Sequence, residues 1–177
     1  LACSGMCAAG QPLEVDSVDR LLDRSFKERE QRPQQALAWA GTALEWALEQ
    51  RDSVRLADAW RKIALALHES ASTLDSSFAS MEHALVISSA IHDHKGEQSA
   101  AKSLGKWYHE QGDLSKALAY ANRSLRVAEA AGDRKGICSA LVTLGGAQQG
   151  MGDPEEAAAS YYKALLIARE LTDVTKV

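Results

Sequence analysis

The chain repeats itself with a period of about 40 residues, and no other feature constrains its fold as much. "IHDHKGEQSA" at 91–100 is echoed by "AGDRKGICSA" at 131–140, so that Asp93, Lys95, Gly96, Ser99 and Ala100 recur as Asp133, Lys135, Gly136, Ser139 and Ala140. The register continues through Leu104-Gly105 and Leu144-Gly145, Gly112-Asp113 and Gly152-Asp153, and Ala117, Leu125 and Ala128 against Ala157, Leu165 and Ala168. Counting back, Asp52 and Ala59 precede Asp93 and Ala100 by one position more than the period. Counting forward, Asp173 falls one full period after Asp133, which makes "LTDVTKV" (171–177) the fourth copy of a connector and implies an array that continues past it.

Each unit reads as two helices. "CSALVTLGGAQQGM" places Leu141, Leu144 and Gln148 on one stripe, with Gly145 beside Leu144. Gly152 is a stop signal, because glycine accepts the left-handed conformation that ends a helix. Asp153-Pro154-Glu155-Glu156 is a start signal: Asp caps, Pro takes the first helical position and Glu156 closes a capping box. The second helix then runs from Pro154 to about Leu171, with Ala157, Tyr161, Ala164, Leu165 and Ala168 as its inward stripe. A short Gly-Asp turn between two helices makes an antiparallel hairpin. One hairpin cannot bury both its faces, whereas stacked hairpins can. The expected fold is therefore all-α, an α-solenoid of stacked antiparallel helix pairs at about 15–50, 54–91, 97–131 and 137–172.

The earlier pairs follow the pattern more loosely. The second carries Trp60, Ile63, Ala64 and Leu67 on its first helix, and its turn "SAST" has one extra residue and no glycine. In the first pair Leu22 and Phe26 fill the first stripe, and Ala36, Ala40, Ala43, Leu44 and Ala47 fill the second. There Asp23 stands in the column of the small residue, and the turn "EQRPQQ" is atypical. Trp39 and Trp46, seven apart on one helix, read as core or as part of an exposed convex face.

These residues resemble the tetratricopeptide repeat. In that family Leu-Gly is followed by an aromatic, then Gly, then Ala, then Ala-Leu. "LGKWYHEQGDLSKALAYANRSL" supplies Leu104-Gly105, Tyr108, Gly112, Ala117 and Ser124-Leu125. The last unit supplies Leu144-Gly145, Gln148, Gly152, Ala157 and Ala164-Leu165. The usual unit is about 34 residues long with a closing Pro; this one is longer, like the long units of bacterial signalling and regulatory proteins. The resemblance covers about 15–177 and implies a right-handed superhelix that binds a protein or peptide, with the first helix of each pair lining its concave face.

On that mapping the groove holds three columns: Arg61, Lys102 and Val142; Leu65, Lys106 and Gly146; His68, His109 and Gln149. Lys102, Lys106 and His109 are spaced i, i+4, i+7 and share a face. The net charge is −4, so a basic strip stands out and suits an acidic or carboxylate-bearing ligand. The competing reading is a set of ordinary solvated helix charges. The strip lacks the Asn residues of the family's carboxylate clamps.

Other chemistries find little footing. An acidic balance and a pI near 5.7 argue against general nucleic-acid binding. No run of about 18 apolar residues is present to span a membrane. His83, His92 and His94 lack the i, i+4 spacing of a helical metal site, "HEQGD" has no second His, and no phosphate loop or nucleophile elbow occurs. No cofactor and no catalytic activity are expected. Three cysteines, Cys3, Cys7 and Cys138, make no disulfide framework. Residues 1–14, "LACSGMCAAGQPLE", switch from small apolar to acidic and read as the remnant of a secretory leader, with Cys3 a lipidation candidate, or as a disordered leader, in which case the location is cytoplasmic. The expectation is an exported, non-catalytic binding scaffold. Its setting is either the sensor or assembly region of a larger bacterial signalling protein or a stand-alone envelope adaptor or lipoprotein. Self-association through an uncovered last helix is also expected, because 154–171 would leave an apolar side open.

Overall fold

The protein is described here by a computed structural model, which covers residues 14–69 and 74–174, with side chains to Thr172. All of the leader but Glu14, including Cys3 and Cys7, and the "SAST" turn lie outside the described residues. Among those described there are eight helices: α1 (Val15–Glu28), α2 (Pro33–Gln50), α3 (Ser53–Glu69), α4 (Leu74–Ala90), α5 (His94–Glu110), α6 (Leu114–Ala130), α7 (Arg134–Met151) and α8 (Pro154–Val174). They pair as the repeat requires. α1–α4 form one compact unit and α5–α8 another. In the first, α1 packs on α2 and α3, α2 on α3, and α3 on α4; in the second, α5 packs on α6 and α7, α6 on α7, and α7 on α8. Among the described residues the fold is all-α, and each unit is a stack of packed helix hairpins of the kind an α-solenoid is built from.

Small residues set the packing. Ala36, Ala40, Ala43 and Ala47 recur along one face of α2 and are each fully buried. A small-residue face lets backbones approach closely, so much of the core is backbone against methyl rather than side chain against side chain. In the first unit Val18, Leu22, Trp46 and Ala59 close the core, with Leu44 and Leu56 packed against it. Trp46 is thus core, while Trp39 is half-buried with the Arg24 guanidinium 4.4 Å above its ring.

The recurring Asp-Gly connectors have a local cause. Asp93 accepts a hydrogen bond from the Gly96 N–H at 3.0 Å and caps α5, and Asp113 accepts from the Lys116 N–H at 3.1 Å and caps α6. The Lys116 N–H holds the Asp113 carboxyl below the usual carboxylate range. Asp52 accepts from the Arg55 N–H at 3.0 Å and from its guanidinium at 2.8 Å. Burial opposes its ionisation, but Arg55 outweighs burial and lowers its pKa. Arg55 also grips Asp19 of α1 through two hydrogen bonds of 2.9 and 2.8 Å. Asp133, in the same column, makes no such cap.

Each connector between pairs needs one left-handed residue. Gly132 has φ 66°, but the equivalent positions are His92 at φ 57° and Arg51 at φ 54°. A side chain in that region is strained, whereas glycine is not. His92→Gly is therefore expected to stabilise the chain by about 0.5–1 kcal/mol, seen as a melting temperature raised by about 1–4 °C. An unchanged or lower value would contradict this account of the connector.

Several details differ from the sequence reading. Phe26 is 41% exposed, because the buried stripe of α1 runs Val18, Leu22, Ser25 and turns away from it. Its ring is covered instead by Arg29 at 4.4 Å and Lys62 at 4.5 Å. Lys62 is 8% exposed, and burial lowers its pKa against the pull of Asp58, 3.8 Å away. The small residue of the first pair is Ser25, whose hydroxyl donates to the Ala36 carbonyl at 2.8 Å, while Asp23 is exposed. The Glu28–Pro33 connection differs in length from the Gly-Asp turns. On α8 the inward residues are Ala157, Ser160, Ala164 and Ile167, whereas Leu165 and Tyr161 are 47% and 37% exposed. Finally, α8 continues through Asp173 to Val174, so the fourth connector position is helical rather than a turn. Gly152 behaves as read, with φ 87° at the end of α7, and Pro154 opens α8.

Candidate functional site

The columns assigned to a groove fall on α3, α5 and α7, the first helices of their pairs. On α3, in the first unit, Arg61, Leu65 and His68 are half-buried. The Arg61 guanidinium is already paired with Asp58 one turn earlier, so most of its charge is spent within its own helix.

On α5, in the second unit, the i, i+4, i+7 spacing gives one accessible row. Lys102 is half-buried and makes no ion pair among the described residues. Lys106 has a side chain 70% exposed, with Nζ 3.5 Å from Glu110 Oε1. A surface pair of that length is weak and competes poorly with a better-placed ligand carboxylate. His109 is exposed and lies beside α7: a Cβ on Gly150 would come within 3.3 Å of its Nε2.

The α7 column carries no charge. Val142 is 51% exposed, Gly146 is half-buried, and Gln149 is exposed, with its Oε1 accepting from the Tyr161 hydroxyl at 3.4 Å. The basic character is therefore concentrated on α5, flanked by an apolar side chain and an amide from α7, the helix that packs against it.

Two features escaped the sequence reading. Gln98, 7% exposed, sends its amide Nε2 to Ser124 Oγ at 3.3 Å, the Gly136 carbonyl at 3.3 Å and Ser139 Oγ at 3.4 Å. It joins α5, α6 and α7 at one point. The signal was a polar residue in a column otherwise held by Ala57 and Cys138. Cys138 is half-buried, with its thiol 3.4 Å from the Ala164 carbonyl, and packs as a small residue. The second feature is a cleft of about 390 Å³ between α6, α7 and α8. Among the described residues no three metal-binding side chains come together. His83 lies 5.1 Å from the Trp60 ring, centroid to centroid. No helix among the described residues is long and apolar enough to cross a membrane.

Hairpins of this geometry, joined by a left-handed residue and packed through small side chains, define a helical-repeat scaffold. Residues 55–130 match the tetratricopeptide repeat family model. The structure of BtubC (BKLC) from P. vanneervenii is similar, with a TM-score of 0.77 at 17% identity over 92% of this chain and 67% of that one. At that identity the likeness speaks for the fold alone. No curated protein matches the chain. Tetratricopeptide repeats are protein-interaction scaffolds, and no catalytic family matches.

Proposed function

We propose that the chain is a non-catalytic scaffold whose α5 row, Lys102, Lys106 and His109, receives an acidic or carboxylate-bearing segment of a partner protein. The observation that carries this reading is Lys102. It is a half-buried lysine without an ion pair among the described residues, one turn from an exposed lysine held only by a long surface contact. A cation in that position gains from a carboxylate what its own chain does not supply. Val142 and Gln149 on α7 add an apolar and an amide contact beside it.

The test is fluorescence anisotropy with a labelled acidic peptide, a scrambled basic peptide as control, and a salt series. Binding of the acidic peptide should weaken as salt screens it. The double variant Lys102→Glu/Lys106→Glu should raise Kd by at least about tenfold, the equivalent of about 1.4 kcal/mol. An unchanged affinity in that variant, with helicity intact, would sink the proposal. The setting we propose is the input or assembly part of a larger signalling protein, with a stand-alone adaptor as the alternative. Reading the coding sequence beyond Val177 separates them: a membrane span followed by kinase or cyclase motifs for the first, a capping helix and stop codon for the second.

A further inference from the structure

α7 carries four glycines, Gly136, Gly145, Gly146 and Gly150. Packing accounts for three of them. A Cβ at Gly136 would stand 2.7 Å from Asp133 Oδ2, one at Gly145 2.8 Å from the Tyr161 ring, and one at Gly150 2.7 Å from Leu114 Cδ2. Gly146 is different. The nearest atom to its Cβ position is the Tyr161 hydroxyl oxygen at 3.7 Å, an ordinary contact. Glycine weakens a helix interior, and here the fold has room for a side chain.

The bare position lies in the groove. Thr143 Cγ2 comes 3.3 Å from the Cβ position of Gly105, and His109 Nε2 comes 3.3 Å from that of Gly150. Gln98 of α5 reaches Ser139 of α7 as well. The two helices therefore run side by side in the same direction, with Lys106 about level with Gly146. As successive copies of one repeat helix, they turn the row of Lys102, Lys106 and His109 and the row of Val142, Gly146 and Gln149 towards the same groove. Gly146 is a notch in the second row. Val142, 51% exposed, bounds it at one end, and Gln149 bounds it at the other, joined to the Tyr161 hydroxyl at 3.4 Å. A further repeat helix packed on α7 does not account for the notch. Lys106 holds the same position on α5, and its side chain stays 70% exposed with α7 packed alongside.

We infer, on the reading of α5 as the seat of an acidic segment, that the notch receives a bulky apolar side chain of that segment, next to the carboxylate that Lys106 meets. The side chain lies on the bare α7 helix at Gly146 and against Val142, burying apolar surface that the lysines do not offer. Charge on α5 then selects for an acidic residue, and the notch on α7 selects what stands beside it. Gly146 is the position that sets this specificity.

Fluorescence anisotropy with two labelled peptides tests this, one alternating glutamate with leucine and the other glutamate with alanine. The wild-type chain should bind the leucine peptide at least about fivefold more tightly. Gly146→Leu should erase that preference by filling the notch. It should also raise the melting temperature by about 2–4 °C, because leucine is the better helix former. Lys102→Glu/Lys106→Glu should weaken both peptides alike. Equal wild-type affinity for the two peptides, or a leucine preference that survives Gly146→Leu, would overturn the notch and leave the acidic-segment reading standing. A lower melting temperature in Gly146→Leu would also overturn it, since packing would then require the glycine. Failure of both peptides to bind the wild-type chain would overturn the notch and the acidic-segment reading together.

Discussion

Gly105→Leu should lower stability by about 3 kcal/mol or more, a fall of about 6–12 °C in melting temperature for a chain of this size. A Cβ at Gly105 would lie 3.2 Å from the Ala121 nitrogen, 3.4 Å from the Ala117 carbonyl oxygen and 3.3 Å from Thr143 Cγ2. Two of those contacts are backbone of α6, which cannot rotate away, so the larger side chain must part the α5–α6 hairpin. Gly145 stands in the same motif column, yet its Cβ would meet the Tyr161 ring at 2.8 Å instead. That ring is 37% exposed and can swing outward. Alanine at 145 also gains about 1 kcal/mol of helix propensity over glycine. Gly145→Ala should therefore be close to neutral. Thermal melts followed at the helical circular-dichroism band compare the two; equal losses at Gly105→Leu and Gly145→Ala would refute the distinction between backbone and side-chain neighbours.

Leu104→Ala should cost about 3–5 kcal/mol, because Leu104 is fully buried and its removal leaves a cavity that the hairpin cannot close. Leu165→Ala should cost within about 0.5 kcal/mol, because nearly half of Leu165 already meets water. Both are apolar motif leucines, one in the Leu-Gly column and one in the Ala-Leu column, and the repeat alone gives no reason to separate them. Urea titrations followed by circular dichroism measure both. A loss at Leu165 comparable to that at Leu104 would mean that α8 is covered by something other than solvent.

The groove columns show how far a repeat register reaches. It placed Arg61, Lys102 and Val142 in one column, and they fall on α3, α5 and α7. It could not tell that Arg61 is taken up by Asp58 while Lys102 is not. That difference turns on an aspartate one turn away on α3 and its absence on α5, where the residue three before Lys102 is Ser99. The acidic partner thus becomes a narrower proposal, resting on α5 rather than on a strip along three helices. Gln98 was illegible for another reason. Its amide finds partners on two other helices, and no local spacing announces a contact between residues 26 to 41 positions apart.

The sequence by itself determined the helices, their pairing and their family resemblance, because those signals are local. An Asp cap, a residue with positive φ and an apolar stripe at helical spacing each act within one or two turns of chain, and several copies of the unit carry them. Only the tertiary structure decided which copies of a position are covered. Ser25 rather than Asp23 meets α2, Phe26 lies under two cations instead of in the core, and Leu165 and Tyr162 face outward. Burial is a property of neighbours, and a repeat sequence states what each unit offers without stating what stands against it.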